Sequence, residues 1–275
     1  MSFTTADVVK LRKATGAGMM DCKNALAEAE GNFERALEII REKGKLVASK
    51  RADRDASEGA VLAGTTEDKK FGALVVLNCE TDFVAKNENF VEFTNNILKS
   101  ALSKKPENLE SLKKISLDGR TIEAQVTEQT GVIGEKLDLS FYGKISAETV
   151  VSYIHPGNKL ASVVGFSKAG VDQQVARDIA MQVAAMSPVS IDVDSIPQEV
   201  IDKELEIAKE KFRLEGKPEA MLDKIAQGAL QKWYKEVTLL NQAFIKDSKI
   251  TVKEYLAQHD KELVITGFER YALDA

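Results

Sequence analysis

The sequence predicts an α+β fold: an N-terminal three-helix bundle, two related α+β subdomains with antiparallel sheets, and an antiparallel helical hairpin inserted in the second. Three observations carry this expectation. Apolar residues recur at helical spacing between Val8 and Ile40, broken at Gly16, Gly18 and Gly31. A strand hairpin followed by a helix comes once after Gly59 and again after Thr149. Two further helical stripes are separated only by Gly216-Lys217-Pro218. The corresponding units are residues 1–55, residues 56–147, residues 148–187 together with 238–275, and the inserted residues 188–237.

Each element has its own local reason. Val8-Val9-Lys10-Leu11 opens a short helix, and Gly16-Ala17-Gly18 breaks it. Met20, Leu26 and Ala29 continue an apolar stripe along a second helix, which Gly31 stops. Asn32 is a fitting N-cap for a third helix whose apolar face is Phe33, Ala36, Leu37 and Ile40, with its end expected near Gly44. From Lys45 to Asp55 the chain is charged and reads as a solvated helical arm or linker.

Gly59 to Gly64, a polar turn from Thr65 to Lys69, and Phe71 to Cys79 make the first strand hairpin. A helix with Phe90, Phe93, Ile97 and Ala101 on one face follows. Ile122 to Ile133 has a helical pattern, and Lys136 to Phe141 alternates like a strand able to extend the first sheet. Thr149 to Ile154, the turn His155-Pro156-Gly157-Asn158, and Leu160 to Phe166 form the second hairpin, followed by a helix aligned on Val175, Ile179 and Val183. In the insertion, Ile201, Leu205, Ala208 and Phe212 recur on the way out, and Leu222, Ile225, Ala229 and Trp233 on the way back. Arms of about 25 Å at 1.5 Å per residue could protrude as a contact arm or lie flat on the core. Thr251 and Glu254 fit a capping box, and Leu263 to Phe268 reads as a strand rejoining the second sheet.

Composition limits the function classes. A formal net charge of −5 provides no overall basic field, which disfavours direct nucleic-acid binding. Cys22 and Cys79, the two cysteines, suggest neither a disulfide framework nor a zinc site. The segment from Met1 to Asp7 has no basic-then-apolar signal, and no apolar run approaches the roughly 18 residues of a membrane span. A cytoplasmic protein that engages no membrane is expected. The sequence contains no GxxxxGK[ST] phosphate loop, no GxSxG elbow and no HExxH helix, and Gly16-Ala17-Gly18 lies between helices, the wrong setting for a dinucleotide fingerprint. His155 in a turn and His259 beside Asp260 lack the spacing of a metal site. No cofactor is implied, and a non-enzymatic, partner-binding role is favoured.

Phe83 stands out against that background, beside Asp82 in a short loop where an apolar strand stops and a helix begins. On local sequence it either caps a nearby core or is presented to a partner by two rigid elements.

The stretches LRKATGAGMMDCKNALAEAEGNFERALEIIREKG, SEGAV, NCETDFVAKNENF, IHPGNKLASVVGF, AMQVAAMSP and LLNQAFIKDSKITV occur in order and together resemble the translation elongation factor Ts family over nearly the whole chain. The resemblance implies an N-terminal ubiquitin-associated-like module, a core of two α+β subdomains, and a coiled-coil hairpin inserted in the second. It also implies the activity of a guanine-nucleotide exchange factor that promotes GDP release from elongation factor Tu. Two such heterodimers could then pair as a homodimer of the heterodimer. Carried over by motif, Phe83 becomes the wedge beside the Mg²⁺ side of the partner's nucleotide site and Asp82 a hydrogen-bonding neighbour, while Thr81 and Val84 shape the loop. Arg12, Met19 and Met20 match the family's N-terminal contact surface, and His155 and Gly157 a turn near the partner. Some members continue into a C-terminal helical module that adds contacts, whereas this sequence ends at Ala275, a departure that leaves the affinity and the exact footprint on the GTPase open. The alternative of a ubiquitin-type adaptor meets an obstacle: the turn after the first helix reads Gly-Ala-Gly-Met-Met, without the Gly-Phe or Gly-Tyr pair of ubiquitin binders.

Overall fold

The computed structural model describes residues 3–273, so the expectations placed on Met1, Ser2 and Ala275 lie outside the described residues. Three helices come first: α1 (Thr5–Thr15), α2 (Met19–Glu28) and α3 (Phe33–Lys50). Thr4 and Asp7 form a capping box at the start of α1, and Gly16 at φ 75° ends it by donating its N–H to Arg12 O at 2.7 Å. Asn32 caps α3 as expected, its side chain accepting from Arg35 N–H. Val8, Leu11, Cys22, Ala25, Leu26, Ala29, Ala36 and Ile39 make their common core.

Two expectations in this unit are corrected. The inward stripe of the second helix is Cys22, Ala25, Leu26 and Ala29, spaced i, i+3, i+4, i+7, while Met20 is 63% exposed. Nor does the third helix end at Gly44. It continues to Lys50, because Gly44 is used for close approach to a later helix rather than as a helix stop.

The chain then forms β1 (Glu58–Thr65), β2 (Phe71–Cys79), the single-turn α4 (Asp82–Ala85), α5 (Glu88–Lys104), α6 (Leu109–Lys113), a small pair β3 (Ser116–Leu117) and β4 (Arg120–Thr121), α7 (Ile122–Ile133) and β5 (Asp138–Ser146). After these come β6 (Thr149–Ile154), β7 (Leu160–Phe166), α8 (Gln173–Met186), α9 (Gln198–Leu214), α10 (Glu219–Val237), the pair β8 (Ala243–Phe244) and β9 (Asp247–Thr251), α11 (Val252–His259) and β10 (Ile265–Ala272). The molecule is thus a mixed α+β protein whose sheets are antiparallel. The strand orders β1-β2-β5 and β10-β7-β6 repeat one plan: the second strand of each hairpin is central and a later strand joins its free side.

Alternation along β2 explains how the layers stack. All nine of its residues are buried. Ala73, Val75 and Leu77 join Phe90, Ile97 and Ala101 of α5 and Ile122 and Val126 of α7. Leu74 and Val76, on the opposite face, meet Val150, Ala161 and Val163 of the second sheet. On that sheet's far side Val164 and Phe166 pack against Val175, Ile179 and Val183 of α8 and against α11. The order is helices, sheet, sheet, helices. Each fully buried Val or Leu side chain in this seam contributes about 1.5–3 kcal/mol.

The helices α9 and α10 pack chiefly on one another and supply no residue to these clusters. Their buried side chains are Ala208, Leu222, Ala226 and Leu230. The return stripe is therefore Leu222, Ala226 and Leu230, with Ile225, Ala229 and Trp233 only half-buried beside it. One partner helix covers one narrow seam, and it runs over Ala226 and Leu230 rather than over Ile225, Ala229 and Trp233. Thr251 and Glu254 do form a capping box at α11, with Thr251 N–H donating to Glu254 Oε2 at 2.7 Å. Among the described residues no helix is long and apolar enough to cross a membrane.

Candidate functional site

Phe83 belongs to a one-turn helix, not to an open loop, and its ring is 83% exposed. The alternative of a core cap fails there. Thr81 is the N-cap of α4, its hydroxyl accepting from Val84 N–H at 3.4 Å, and Ala85 N–H closes the turn on Thr81 O at 3.1 Å. Val84 and Ala85 pack onto the first-sheet core. Since successive helical residues point about 100° apart, anchoring these two turns Phe83 outward.

Carboxylates hold the turn from outside. Glu135, just past the left-handed Gly134 that ends α7, accepts from Glu80 N–H at 3.2 Å, Thr81 N–H at 3.0 Å and the Thr81 hydroxyl at 2.7 Å. Glu80 accepts in return from Lys136 N–H at 2.6 Å and from Arg51 Nη1 at 2.8 Å. Those two donors, the backbone N–H first, hold the Glu80 carboxyl below the usual glutamate range. Arg51 lies in the charged stretch expected to be a solvated arm; that stretch is instead tied down, since Lys136 Nζ also donates to Ala52 O and Arg54 O at 2.8 and 2.9 Å. Cys79 Sγ donates to Thr81 O at 3.2 Å, and burial, with Glu135 and Glu58 nearby, pushes its thiol up to about 12. It is an inert thiol that braces the turn.

Asp82, half-buried next to Phe83 in the chain, pairs with Lys86 Nζ at 2.6 Å, which lowers its carboxyl pKa; Lys159 lowers it further through its charge. An exposed pair of this kind is weak enough to exchange one partner for another.

The α1–α2 connection lies beside this turn. A cavity of about 700 Å³ is lined by Lys13, Thr15 and Gly16 from the end of α1, by Phe83 and Val84, by Phe90 and Phe93 of α5, and by Val132 and Ile133 at the end of α7. Arg12 in the last turn of α1 and Met19 and Met20 at the start of α2 are exposed without lining the cavity. Lys86, which follows α4, and Asn158 of the β6–β7 turn line one further shallow depression. His155 and Gly157 are exposed in that turn, with His155 Nδ1 2.9 Å from the Tyr153 hydroxyl and Gly157 at φ 94°. The Phe83 turn is therefore a neighbour of the α1–α2 connection and, through Lys86, of the β6–β7 turn. Among the described residues no group of three or more His, Cys, Asp or Glu is placed to hold a metal ion.

A family model described as elongation factor TS matches residues 80–275. The chain belongs to the elongation factor Ts family. Curated relatives extend the match across the N-terminal helices. Elongation factor Ts of Porphyromonas gingivalis is 55% identical over 276 residues, covering 100% of both chains. Those of Azobacteroides pseudotrichonymphae and Bacteroides fragilis are 51% and 41% identical, with coverage of 99% or more of each chain. Membership in the elongation factor Ts family makes the chain a translation elongation factor.

Sequence reasoning missed Glu80, Glu135, Lys136 and Arg51, the groups that hold the turn. No local signal could have found Glu135, whose bond to Thr81 N–H spans 54 residues.

Proposed function

We propose that this protein is a guanine-nucleotide exchange factor that promotes GDP release from elongation factor Tu. The observation that carries the proposal is the outward Phe83 ring on a turn fastened by Glu80, Glu135 and the buried Ala85. An aromatic ring left in water on a braced support is suited to entering another protein's apolar pocket. Its transfer would contribute roughly 1.5–3 kcal/mol, enough to shift a local equilibrium tenfold or more.

GDP held with Mg²⁺ leaves slowly, because phosphate and metal contacts must be released together. A factor that binds the nucleotide-free shape better raises the population of that shape and speeds exit. The coupling is reciprocal, so nucleotide weakens the factor as much as the factor weakens nucleotide, and GTP binding releases it. No covalent bond is made or broken.

In this reading Phe83 is the wedge beside the Mg²⁺ side of the partner's site and Asp82 exchanges Lys86 for a partner group. Thr81 and Val84 hold the turn, Arg12, Met19 and Met20 form an N-terminal contact patch, and His155 and Gly157 belong to a turn near the partner. Met suits such a patch because its side chain adapts to irregular surfaces. We assign residues 1–55 as a ubiquitin-associated-like docking module, residues 56–147 and residues 148–187 with 238–275 as the core subdomains, and residues 188–237 as a coiled-coil arm, all acting in the cytoplasm. The test is release of fluorescent GDP from the cognate elongation factor Tu. Wild-type protein is expected to accelerate it, and Phe83→Ala to lose at least about tenfold of that acceleration. No acceleration by wild type would refute the exchange-factor reading, whereas full activity of Phe83→Ala would refute only the wedge.

A further inference from the structure

Glu80 and Glu135 form a reciprocal clamp: each carboxylate bonds backbone N–H groups in the other's segment. Glu135 Oε2 accepts from Glu80 and Thr81 N–H, and its Oε1 accepts the Thr81 hydroxyl proton. A hydroxyl has one proton to give, so a Thr81 oxygen that donates to Glu135 is oriented to accept from Val84 N–H, the bond that starts α4. The N-cap of the helix that carries Phe83 is thus oriented by one carboxylate acting through one hydroxyl, while Val84 and Ala85 anchor the inner face. In the return direction, Glu80 Oε1 takes Lys136 N–H at 2.6 Å, and Arg51 Nη1 reaches its two oxygens at 2.8 and 3.0 Å. Arg51 directly follows α3, so the clamp joins the N-terminal helices to the turn.

We propose that Glu135 is the positioning residue of the Phe83 turn, and that Glu80 with Arg51 locks this position to the end of α3. The proposal rests on the exchange-factor reading for its functional consequence. Glu135, half-buried and bonded to Glu80 and Thr81, acts through Thr81. Charge-assisted hydrogen bonds to a carboxylate are stronger than neutral ones, and three converge on this side chain. The core contacts of Val84 and Ala85 remain without it, so its loss frees the orientation of the turn rather than unfolding the sheet.

The experiment compares wild type, Glu135→Gln, Glu135→Ala, Phe83→Ala and the Phe83→Ala/Glu135→Ala double variant in fluorescent GDP release, with the factor titrated to saturation. Glu135→Ala is expected to lower the saturating rate about tenfold, as for one lost charge-assisted bond, while the half-saturating concentration moves less than about twofold. Glu135→Gln, which keeps an acceptor oxygen for Thr81, recovers part of the rate. The double variant is expected to be no slower than Phe83→Ala alone, because the carboxylate acts only through the ring. A wild-type saturating rate in Glu135→Ala, or effects that multiply in the double variant, would overturn the positioning role. Amide hydrogen exchange at Glu80 and Thr81 in the isolated proteins keeps this apart from the exchange-factor reading. Faster exchange in Glu135→Ala, with thermal unfolding of Glu135→Gln close to wild type, supports the clamp even if no GDP release is seen; unchanged protection refutes it.

Discussion

Gly44 and Gly131 meet where α3 crosses α7, and Gly131 has no room for a side chain. A Cβ on Gly131 would fall 2.1 Å from Gly44 Cα, and that neighbour is backbone which cannot swing aside. Gly131→Ala is therefore expected to destabilise by about 1–3 kcal/mol through overpacking, against a helix-propensity gain of about 1 kcal/mol. Gly228 in α10 has nothing within 4 Å of its Cβ position, so Gly228→Ala is expected to gain about the propensity term alone. Urea unfolding of the two variants checks the opposite signs; a stabilised Gly131→Ala would mean that the helices are not in contact there. Gly44 also marks where local reading failed. In sequence a glycine after a helical run looks like a stop, and only its distant partner reveals that it serves close packing. Phe83 was undecided for the same reason, since exposure depends on what Val84 and Ala85 pack against.

At the scale of elements, signals confined to one turn were legible. The pattern from Ile122 to Ile133 coincides with α7, which Thr121 caps at one end and Gly134 at the other. The capping box of Thr251 and Glu254 was equally readable because its partners are three residues apart. The brace of α4 was not, because Glu80, Glu135, Lys136 and Arg51 come from three separate segments. That brace has a pH signature. The folded-state pKa of Glu80 is lowered by Lys136 N–H and Arg51, so its stabilising contribution is fully present above the unfolded glutamate value of about 4.3. It is lost as pH falls through the lowered folded-state value. Glu80→Gln is expected to melt below wild type at neutral pH, and the gap to close on acidification well below pH ~4. Melting curves across pH check this; a gap that persists in strong acid would show that the carboxylate charge is not what holds Lys136 and Arg51.

Across the whole molecule the two sheets share a seam, whereas the inserted hairpin stands apart from it. Leu74 and Val76 reach Val150 and Val163, so neither sheet completes its core alone, and a sequence read subdomain by subdomain does not reveal that dependence. The hairpin differs. Its base is closed without its arms: Val189 N–H donates to Val237 O at 2.8 Å, Leu239 N–H to Ser190 O at 2.9 Å and Leu240 N–H to Ile191 O at 3.0 Å. Leu239 and Ile191 belong to the second core, while Leu214 near the tip is 81% exposed. Replacing residues 198–233 with a Gly/Ser linker of about eight residues, which spans roughly 16 Å, is wide enough to join two helix bases. The product is expected to unfold in one cooperative transition within about 4 °C of wild type, as for a change of roughly 1 kcal/mol. Calorimetry decides between the two geometries the sequence left open. A broad or absent transition would mean that the arms support the second sheet, whereas a retained transition leaves the Phe83 face on an intact core and makes the hairpin a separable arm.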